Sequence, residues 1–401
     1  MRSFSQLCEA IAATTKKNEK VRLVAEYLQS RSVDEAAASA IFLAGRAFPA
    51  YEEKTLQVGG TMLWSLVREI SGKTEAAMAQ AYRKYGDLGT AAQEVLDSNP
   101  KTSTTSVLDV ARAFERIAST RGPAPKANLV RALLEQLTPL EAKYAIKIIN
   151  GDLRIGLRES LVEEAIAESY TGPFPKAGKG PATQGVQRAN MLLGDIGETL
   201  RLAADHRLSD ARMRLFHPIG FMLASPADSA EDAFEYFEHA QVEDKYDGIR
   251  AQAHVSNGEV RLYSRTLDDV TESFPELPDA LSVFPGNLIL DGEIVAWHRP
   301  QDSKDVGRAL PFTEIQKRLG RKNVSLALMK EVPVALVVFD VLYADGELTI
   351  DRPLRERNEI LDRTFSHAVQ YPGGRAKTRT RGAQGQLAFE SVVEAPPTAQ
   401  V

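Results

Sequence analysis

The sequence predicts an all-α domain at the N-terminus, followed by an α+β domain with a mostly antiparallel sheet. Through residues 1–216, apolar residues recur at spacings of three and four, which is typical of helices that bury one face. After about residue 217 they alternate or run together in short stretches rich in β-forming residues. The length of 401 residues and the hydrophobic fraction of 43% fit a globular chain of two or three domains.

The helical pattern is clearest in "VRLVAEYLQS", "TMLWSLVREIS", "SVLDVARAFERIAS" and "ANLVRALLEQL". Breaks with turn-forming residues fall at "DSNPKTS" and "TRGPAPKA". We find no fixed-period repeat, so a solenoid is not expected. The Gly- and Pro-rich residues 171–185 carry two lysines, but they lack the spacing of a phosphate-binding loop. We therefore interpret them as an exposed connection.

The second region begins near "LFHPIGFMLASP". "RAQAHV" and "EVRLYS" flank Ser256, Asn257 and Gly258, a good hairpin signal. "NLILDGEIVAWH" and "PVALVVFDVLYADG" are apolar enough to be central strands, while "PFTEIQKRL" and "LRERNEILDRTF" favour helices. We predict a helical domain over 1–210, an α+β domain over 217–370 and a basic, Gly-rich, mobile tail over 371–401.

Composition limits the classes of function. No apolar run approaches the roughly 18 residues of a membrane span, and the N-terminus favours an amphipathic helix over a signal peptide. The single cysteine, Cys8, excludes an intramolecular disulfide and a four-thiolate zinc site, so we expect a reducing, cytoplasmic compartment. Net charge is +4 over residues 1–216 and −9 over the remainder. Nucleic acid would therefore bind local basic patches of the first region, although an ordinary mixed surface fits the charge equally well.

Four short motifs follow one another within about a hundred residues of the second region. They are "KYDGIR" at 245–250, "YSR" at 263–265, "LDGEIV" at 290–295 and "FDVLYADG" at 339–346. The first alone is weak, because Lys245 beside a turn could be either a surface ion pair or a reactive amine. Four motifs in this order are much more specific.

This ordered set resembles the covalent nucleotidyltransferases, and most closely the ATP-dependent DNA ligases. "INGDLRIGLRESLVEEAIA" and "HPIGFMLA" look like the N-terminal DNA-binding domain and the domain junction of the larger members. The resemblance covers roughly residues 1–365. It implies a helical DNA-binding domain followed by a nucleotidyltransferase (adenylation) domain.

The resemblance implies that Lys245 attacks the α-phosphate of ATP, forming lysyl-AMP and releasing pyrophosphate. Only the neutral amine is a nucleophile, and the unperturbed lysine pKa is about 10.4, so the site must favour the neutral form. By the same resemblance, Glu243 accepts a hydrogen bond from the adenine amino group, and Phe339 stacks on adenine. A Phe in a β-rich run is otherwise usually a core residue.

Arg250 and Arg265 match family arginines that contact the nucleotide or the nick phosphate. Guanidinium groups suit this role because they donate two hydrogen bonds at once, although a cross-strand ion pair is the alternative for each. Glu293 matches the family glutamate on the ribose and metal side, and phosphoryl transfer implies Mg²⁺. For Asp247, beside Gly248, a role in shaping the turn is as plausible as a direct one.

The function expected from this resemblance is ATP-dependent sealing of 5′-phosphate/3′-hydroxyl nicks in duplex DNA, in replication, repair or recombination. NAD-dependent ligases carry a cysteine-rich zinc module, which one cysteine cannot supply, so ATP is favoured. The partners expected are nicked duplex DNA and ATP, with no membrane, and we expect a monomer. An RNA ligase or capping guanylyltransferase shares the lysine motif, but the helical domain argues against both.

The sequence also departs from the family pattern after Phe339. Neither a Glu-Gly strand nor a Trp-x-Lys-x-Lys strand follows, and the tryptophans are Trp64 and Trp297. We therefore expect a ligase truncated before its last core motifs and its OB-fold domain. Residues 1–401 alone should show little or no self-adenylation, and a catalytically impaired remnant that binds DNA is the alternative function.

Overall fold

The computed structural model describes residues 1–52, 54–97, 102–171, 180–222, 224–298, 307–321, 323–344, 346–368 and 387–388. The chain divides into two compact units, Met1–Arg212 and Met213–Val401, called here the helical unit and the sheet unit. Most of the predicted connection at 171–185 and all of the predicted tail except 387–388 lie outside the described residues.

The helical unit consists of α-helices joined by short turns, as predicted. Its helices are α1 Arg2–Ala12, α2 Lys17–Gln29, α3 Val33–Leu43, α4 Gly60–Ser71, α5 Glu75–Tyr85, α6 Leu88–Leu96, α7 Val107–Ser119, α8 Pro123–Gln136, α9 Pro139–Ile149, α10 Glu159–Thr171, α11 Pro181–Leu193 and α12 Ile196–Ala204. Helix α7 shows why they form: Ser106 and Asp109 make a capping box, and Val110, Phe114 and Ile117 lie buried on one face.

Two helix pairs of this unit share one turn geometry. Gly86 joins α5 to α6 and Gly194 joins α11 to α12, each with φ 62° and ψ 20°, a left-handed conformation that suits glycine. The next residue, Asp87 or Asp195, accepts hydrogen bonds from the backbone N–H groups that begin the following helix. Helix α6 packs on α9, and α12 packs on α3.

The N-terminal helix α1 closes this core with Phe4, Leu7, Cys8 and Ile11. The Cys8 side chain is fully buried, and this burial raises the pKa of its thiol well above the ordinary value. None of the helices in the described ranges has both the length and the apolar composition that crossing a membrane requires.

The sheet unit is α+β, and every strand pairing among its described residues is antiparallel, which confirms the predicted fold class. Its elements are α13 Ala230–Phe234, β1 Ile249–Ser256, β2 Glu259–Ser264, α14 Glu276–Leu281, β3 Asn287–His298, β4 Arg308–Ala309, α15 Phe312–Gln316, α16 Leu326–Glu331, β5 Val334–Ala344, β6 Glu347–Leu348, α17 Leu354–Ala368 and β7 Leu387–Ala388. The central strand order is β2-β1-β3-β5-β6, with β4 beside β3 and β7 beside β5. The predicted hairpin joins β1 and β2 through Asn257 and Gly258, both with positive φ.

The two faces of the sheet differ in character. One face carries Ala251, Leu290 and Leu336 into a core that also contains residues of α14 and α17. Because side chains alternate along a strand, the intervening residues of β1, β3 and β5 point to the other face. Arg250 and Glu293 lie there, and we call this second face the site face.

A segment without regular structure, residues 216–221, lies against the site face. The buried side-chain amide of Gln252 accepts from the Ile219 N–H at 3.1 Å and donates to the Ile219 carbonyl at 2.6 Å. His254 Nδ1 accepts from the Phe216 N–H at 3.0 Å. Burial lowers the pKa of His254 to about 3, so the ring is a neutral acceptor with a structural role.

Candidate active site

Lys245 lies where the chain enters the sheet. Its side chain is exposed, and residues 241–247 before β1 have no regular structure. A Cβ added to Gly248 would lie 2.2 Å from the Ile294 carbonyl oxygen, so only glycine allows the chain to pass this close to β3. The turn after Lys245 is therefore held by close approach to the central strand.

Glu293 joins this turn to the site face. One of its carboxylate oxygens accepts a hydrogen bond from the Gly248 N–H at 3.1 Å. Burial raises the pKa of the half-buried Glu293 carboxyl above its ordinary value. The positive charges of Arg250 and Lys245 oppose that rise.

Arg250 is held on three sides. Its Nε and Nη2 donate to the two carboxylate oxygens of Asp291 at 2.9 and 2.7 Å. Its guanidinium also lies over the rings of Phe339 and Phe221, 4.8 and 5.3 Å from their centroids. The pair with Asp291 is a cross-strand ion pair, the alternative named above for this arginine. Burial raises the pKa of Asp291, and the hydrogen bonds from Arg250 lower it.

The two residues predicted on the adenine side occupy neighbouring segments. Phe339 is half-buried on β5, and Glu243 lies in the irregular segment before Lys245, where Gln241 Nε2 donates to it at 2.5 Å. Burial raises the pKa of Glu243, and the charge of nearby Asp340 raises it further. Asp340 accepts from Nε and Nη2 of Arg357 at 2.7 and 3.0 Å.

Arg265 is the predicted site residue that stands apart. It follows β2 directly, its side chain is exposed, and it has no ion-pair partner among the described residues. The structure thus links Arg250 to Asp291 and Phe339, and links Glu293 to the turn after Lys245 through the Gly248 N–H. No such contact links Arg265 to them within the described part of the chain.

Several residues of this cluster were missed by the sequence analysis. Asp291 carries a signal that could have found it, because a carboxylate on an apolar strand is costly to bury without a partner. Asp340 and Arg357 form an ion pair across residues distant in sequence, which no local pattern reveals. Phe221 reaches Arg250 only because Gln252 holds the preceding segment.

No ready-made metal cage is visible. Within the described ranges, no group of three or more His, Cys, Asp or Glu side chains lies together in a way that could hold an ion. Glu293 offers a half-buried carboxylate with one oxygen bonded to the Gly248 N–H, and its other oxygen has no hydrogen bond among the described residues. A single carboxylate fits Mg²⁺, which takes most of its ligands from substrate phosphates and water.

Comparison with known proteins assigns both units to one group. The family described as "DNA ligase N terminus" matches residues 1–167, and the "ATP dependent DNA ligase domain" matches residues 221–384. Lys245, Arg250, Glu293 and Phe339 all fall inside the second match.

Curated relatives agree with these matches. A "Probable DNA ligase" of Koribacter versatilis is 58% identical over 92% of this chain and 62% of the relative. One from Opitutus terrae is 36% identical over 93% of this chain and 42% of the relative. A "DNA ligase" of Methanocella arvoryzae is 32% identical over 97% of this chain and 69% of the relative. The chain thus spans 62% and 42% of the lengths of the Koribacter versatilis and Opitutus terrae relatives.

Proposed function

Because the chain belongs to the ATP-dependent DNA ligase family, we propose that it works in sealing 5′-phosphate/3′-hydroxyl nicks in duplex DNA through an adenylated lysine. The observation that supports this most is the cluster on the site face, where Glu293 accepts from the N–H of Gly248, three residues after Lys245, and Arg250 lies over Phe339. Nick sealing serves replication, repair or recombination, and the protein would act as a monomer. The single cysteine favours a cytoplasmic location.

In the first step, the neutral Nζ of Lys245 attacks the α-phosphorus of ATP. A nitrogen–phosphorus bond forms, the bond to the bridging oxygen of pyrophosphate breaks, and the lysine loses its proton to solvent or to a nearby base. Glu243 accepts from the adenine amino group, and Phe339 stacks on the base. In the following steps the AMP passes to the 5′-phosphate of the nick, and the 3′-hydroxyl displaces it.

Arg250 is preorganised for a ribose hydroxyl or a phosphate oxygen. Asp291 accepts from its Nε and Nη2, whereas Nη1 has no partner among the described residues. The ion pair raises the pKa of Arg250, so the guanidinium stays charged. Because Asp291 and two aromatic rings already fix the group, little side-chain entropy is lost when a ligand binds.

Glu293 would hold Mg²⁺ together with the phosphates. The ion would supply positive charge to the phosphate oxygens during transfer. Glu293 itself orients the turn of Lys245 through the Gly248 N–H, so one carboxylate both fixes the nucleophile's segment and faces the ribose and metal side.

The first test is nucleotide binding by the 401-residue chain. We expect ATP with Mg²⁺ to bind in equilibrium dialysis, and we expect Phe339→Ala to weaken binding by roughly 10-fold, since stacking on a base contributes about 1–3 kcal/mol. Absence of ATP binding by the unmodified chain would contradict the proposed function.

The second test identifies the nucleophile. The chain is incubated with α-labelled ATP and Mg²⁺ beside Lys245→Ala and the control Lys330→Ala, an exposed lysine of α16. Residues 1–401 contain no Trp-x-Lys-x-Lys motif, so we expect at most slow labelling, slower than a ligase that carries this motif by about 10²–10³ or more. All label should depend on Lys245. Label on the Lys245→Ala protein would show that another residue reacts.

We also propose that the helical unit binds duplex DNA without sequence preference. Its net positive charge supports this, as does the turn after α9, where Gly151, Arg154 and Gly156 all have positive φ. The buried Lys20 holds this turn by donating to the carbonyls of Ile155 and Gly156 at 2.7 and 2.9 Å. The turn is therefore rigid, and it presents the exposed side chain of Arg154.

Phosphate contacts make DNA affinity fall with salt, so binding is measured at several salt concentrations. We expect Arg154→Ala to lower the slope of log affinity against log salt by about one. Arg112→Ala is the matched control, because Arg112 is likewise an exposed arginine paired with a nearby aspartate but lies on α7, outside this turn. Salt-independent binding, or none, would contradict this part of the proposal.

A further inference from the structure

Helix α17 contributes to the base side of the site without touching the nucleotide. We propose that Asn358 is a positioning residue that makes the site prefer a purine with an exocyclic amino group, by orienting Gln241 and through it Glu243. This inference rests on the proposed function, because it takes Glu243 as the residue that faces the base.

The proposal starts from a chain of two hydrogen bonds. Asn358 Nδ2 donates to Gln241 Oε1 at 2.5 Å, and Gln241 Nε2 donates to Glu243 Oε1 at 2.5 Å. A side-chain amide has one donor end and one acceptor end. Because Asn358 donates to the oxygen of Gln241, the NH₂ end of Gln241 turns toward Glu243.

Helix α17, which carries Asn358, is firmly anchored in the sheet unit. Ile360, Leu361 and Phe365 lie buried in the core of the sheet unit, and the Phe365 ring packs edge-on against Phe284 at 4.8 Å. The helix also packs on β5, the strand that carries Phe339. Asn358 is therefore carried by a helix that is anchored in the core and packed on the strand of Phe339.

The residue before Asn358 acts on the other base-side group. Arg357 makes a two-fold ion pair with Asp340, which directly follows Phe339 in β5. Both side chains are more than four-fifths buried. Consecutive residues of one helix thus hold the two segments that carry Glu243 and Phe339, so the spacing between those two segments is set by α17.

The orientation of Gln241 has a chemical consequence for Glu243. With Oε1 engaged by an N–H donor, the carboxylate stays an acceptor, and its second oxygen can accept from an amino group on the base. A base with a keto oxygen at the same position would place two acceptors against each other. The simpler alternative is that Asn358 and Gln241 only satisfy one another near the surface, with no effect on base preference.

Substituting Asn358→Asp separates these possibilities. An ionised aspartate only accepts hydrogen bonds, so the NH₂ end of Gln241 would turn toward the new carboxylate. The side-chain oxygen of Gln241 would then face Glu243. The carboxylate of Glu243 would then lose its donor and face an acceptor instead. We expect the ratio of ATP affinity to inosine triphosphate affinity to fall about 3- to 10-fold, the size expected for one net hydrogen bond.

The measurement is equilibrium dialysis of ATP and inosine triphosphate, each with Mg²⁺, against the full 401-residue chain. Asn257→Asp, in the exposed turn between β1 and β2, makes the same charge change and tolerates positive φ, so its ratio should match the unmodified chain. Gln241→Met removes the side-chain amide between Asn358 and Glu243 and should lower the affinity ratio. Asn358→Gln keeps an amide donor and should retain most of the ratio. Circular dichroism checks that each variant is folded.

The outcomes distinguish this inference from the function on which it rests. If the unmodified chain binds ATP but Asn358→Asp and Gln241→Met leave the ratio unchanged, the positioning role is wrong and the proposed function stands. An equal fall in Asn257→Asp would show a general charge effect and would also overturn it. If the unmodified chain binds neither nucleotide, the proposed function itself fails, and this inference with it.

Discussion

The turn between α5 and α6 and the turn between α11 and α12 use the same backbone for different surroundings. At the first, Lys147 of α9 lies 2.6 Å from the Asp87 carboxylate, and both side chains are buried. At the second, the glycine that follows Asp195 in the helix, Gly197, faces Ile41 and the Ala37 carbonyl of α3.

The carboxylates respond to this difference. Burial alone would raise the pKa of Asp87, but hydrogen bonds from Lys147 and Thr90 outweigh it, and the pKa lies below the ordinary value. Burial raises the pKa of Asp195, and its two N–H donors, Gly197 and Glu198 at 2.8 and 3.0 Å, do not reverse that. Two N–H groups are thus enough to hold an aspartate at this turn, and the buried lysine is an additional partner that is present only at the α5–α6 turn.

The turns also differ in what they hold. The carbonyl of Gly86 accepts from Nη1 of Arg154 at 2.8 Å, whereas the carbonyl of Gly194 accepts from the backbone N–H of Tyr51 at 3.2 Å. The equivalent glycine carbonyl therefore orients a charged side chain at the α5–α6 turn and only main chain at the α11–α12 turn. The α5–α6 turn, which contains the buried ion pair, is also the turn that orients Arg154, the arginine proposed to contact DNA.

The largest effect is expected at the ion pair. Lys147→Met leaves Asp87 buried without its cation and should cost about 3–5 kcal/mol of unfolding free energy at neutral pH. Adding Asp87→Asn should recover most of that loss, because the turn then resembles the second one. Urea unfolding followed by circular dichroism measures both, and a double variant no more stable than Lys147→Met would show that the turns are not equivalent.

The next effect concerns the glycines that start α6 and α12. A Cβ on Gly89 would lie 2.7 Å from the Lys143 carbonyl, which cannot move easily, whereas a Cβ on Gly197 would meet the end of the flexible Ile41 side chain at 2.9 Å. Overpacking of this kind costs about 1–3 kcal/mol. We expect Gly89→Ala near the upper end and Gly197→Ala near the lower, and equal losses of thermal stability would contradict the comparison.

The pH dependence should have opposite signs at the two turns. The folded-state pKa of Asp87 lies below the unfolded value of about 3.9, so its stabilisation is present above about pH 4 and is lost as pH falls through the folded value. The pKa of Asp195 is raised, so its ionised form costs stability at neutral pH, and the cost disappears as pH falls through that raised value. Unfolding at pH 7 should show Asp195→Asn unchanged or slightly more stable, by no more than about 1 kcal/mol, and Asp87→Asn less stable. Loss of stability in both variants would remove the distinction.

The smallest effect on stability is expected at Arg154. Its φ of 52° is unfavourable for a residue with a side chain, by about 1–2 kcal/mol, but its side chain donates to Gly86 and Asp152. Arg154→Gly relieves the unfavourable φ but loses the side-chain hydrogen bonds. The free energy of unfolding should therefore change by less than about 1 kcal/mol, while DNA affinity falls. A large loss of stability would mean that the arginine serves the turn rather than DNA.

Much of the fold could be predicted because it depends on local periodicity. The central strands β3 and β5 and the hairpin at Asn257 follow from runs of apolar residues and a turn pair. The repeated turn was not recognised, although "GDLG" at 86–89 and "GDIG" at 194–197 are both visible in the sequence. Their relation depends on which helix each glycine meets, and that is a tertiary contact.

The candidate site was predicted only in part, because its motifs are local in sequence whereas the contacts that orient them are tertiary. Motif order pointed to Lys245, Glu293 and Phe339, but the groups that hold them come from elsewhere in the chain. Asn358 reaches Glu243 only through Gln241, and no sequence pattern joins residues separated by more than a hundred positions. Sequence motifs identify residues that react, whereas the residues that orient them are found from three-dimensional contacts.

The full burial of Cys8 makes the native chain nearly inert to thiol reagents, because the thiolate is the reactive species and its formation is disfavoured there. Cys8 lies in the core of α1, so a maleimide can reach it only when the helical unit opens. Since the sequence has no other cysteine, the rate of modification reports that opening directly, without an introduced probe. Measured with and without DNA, the same rate would show how strongly a bound duplex suppresses opening of this unit.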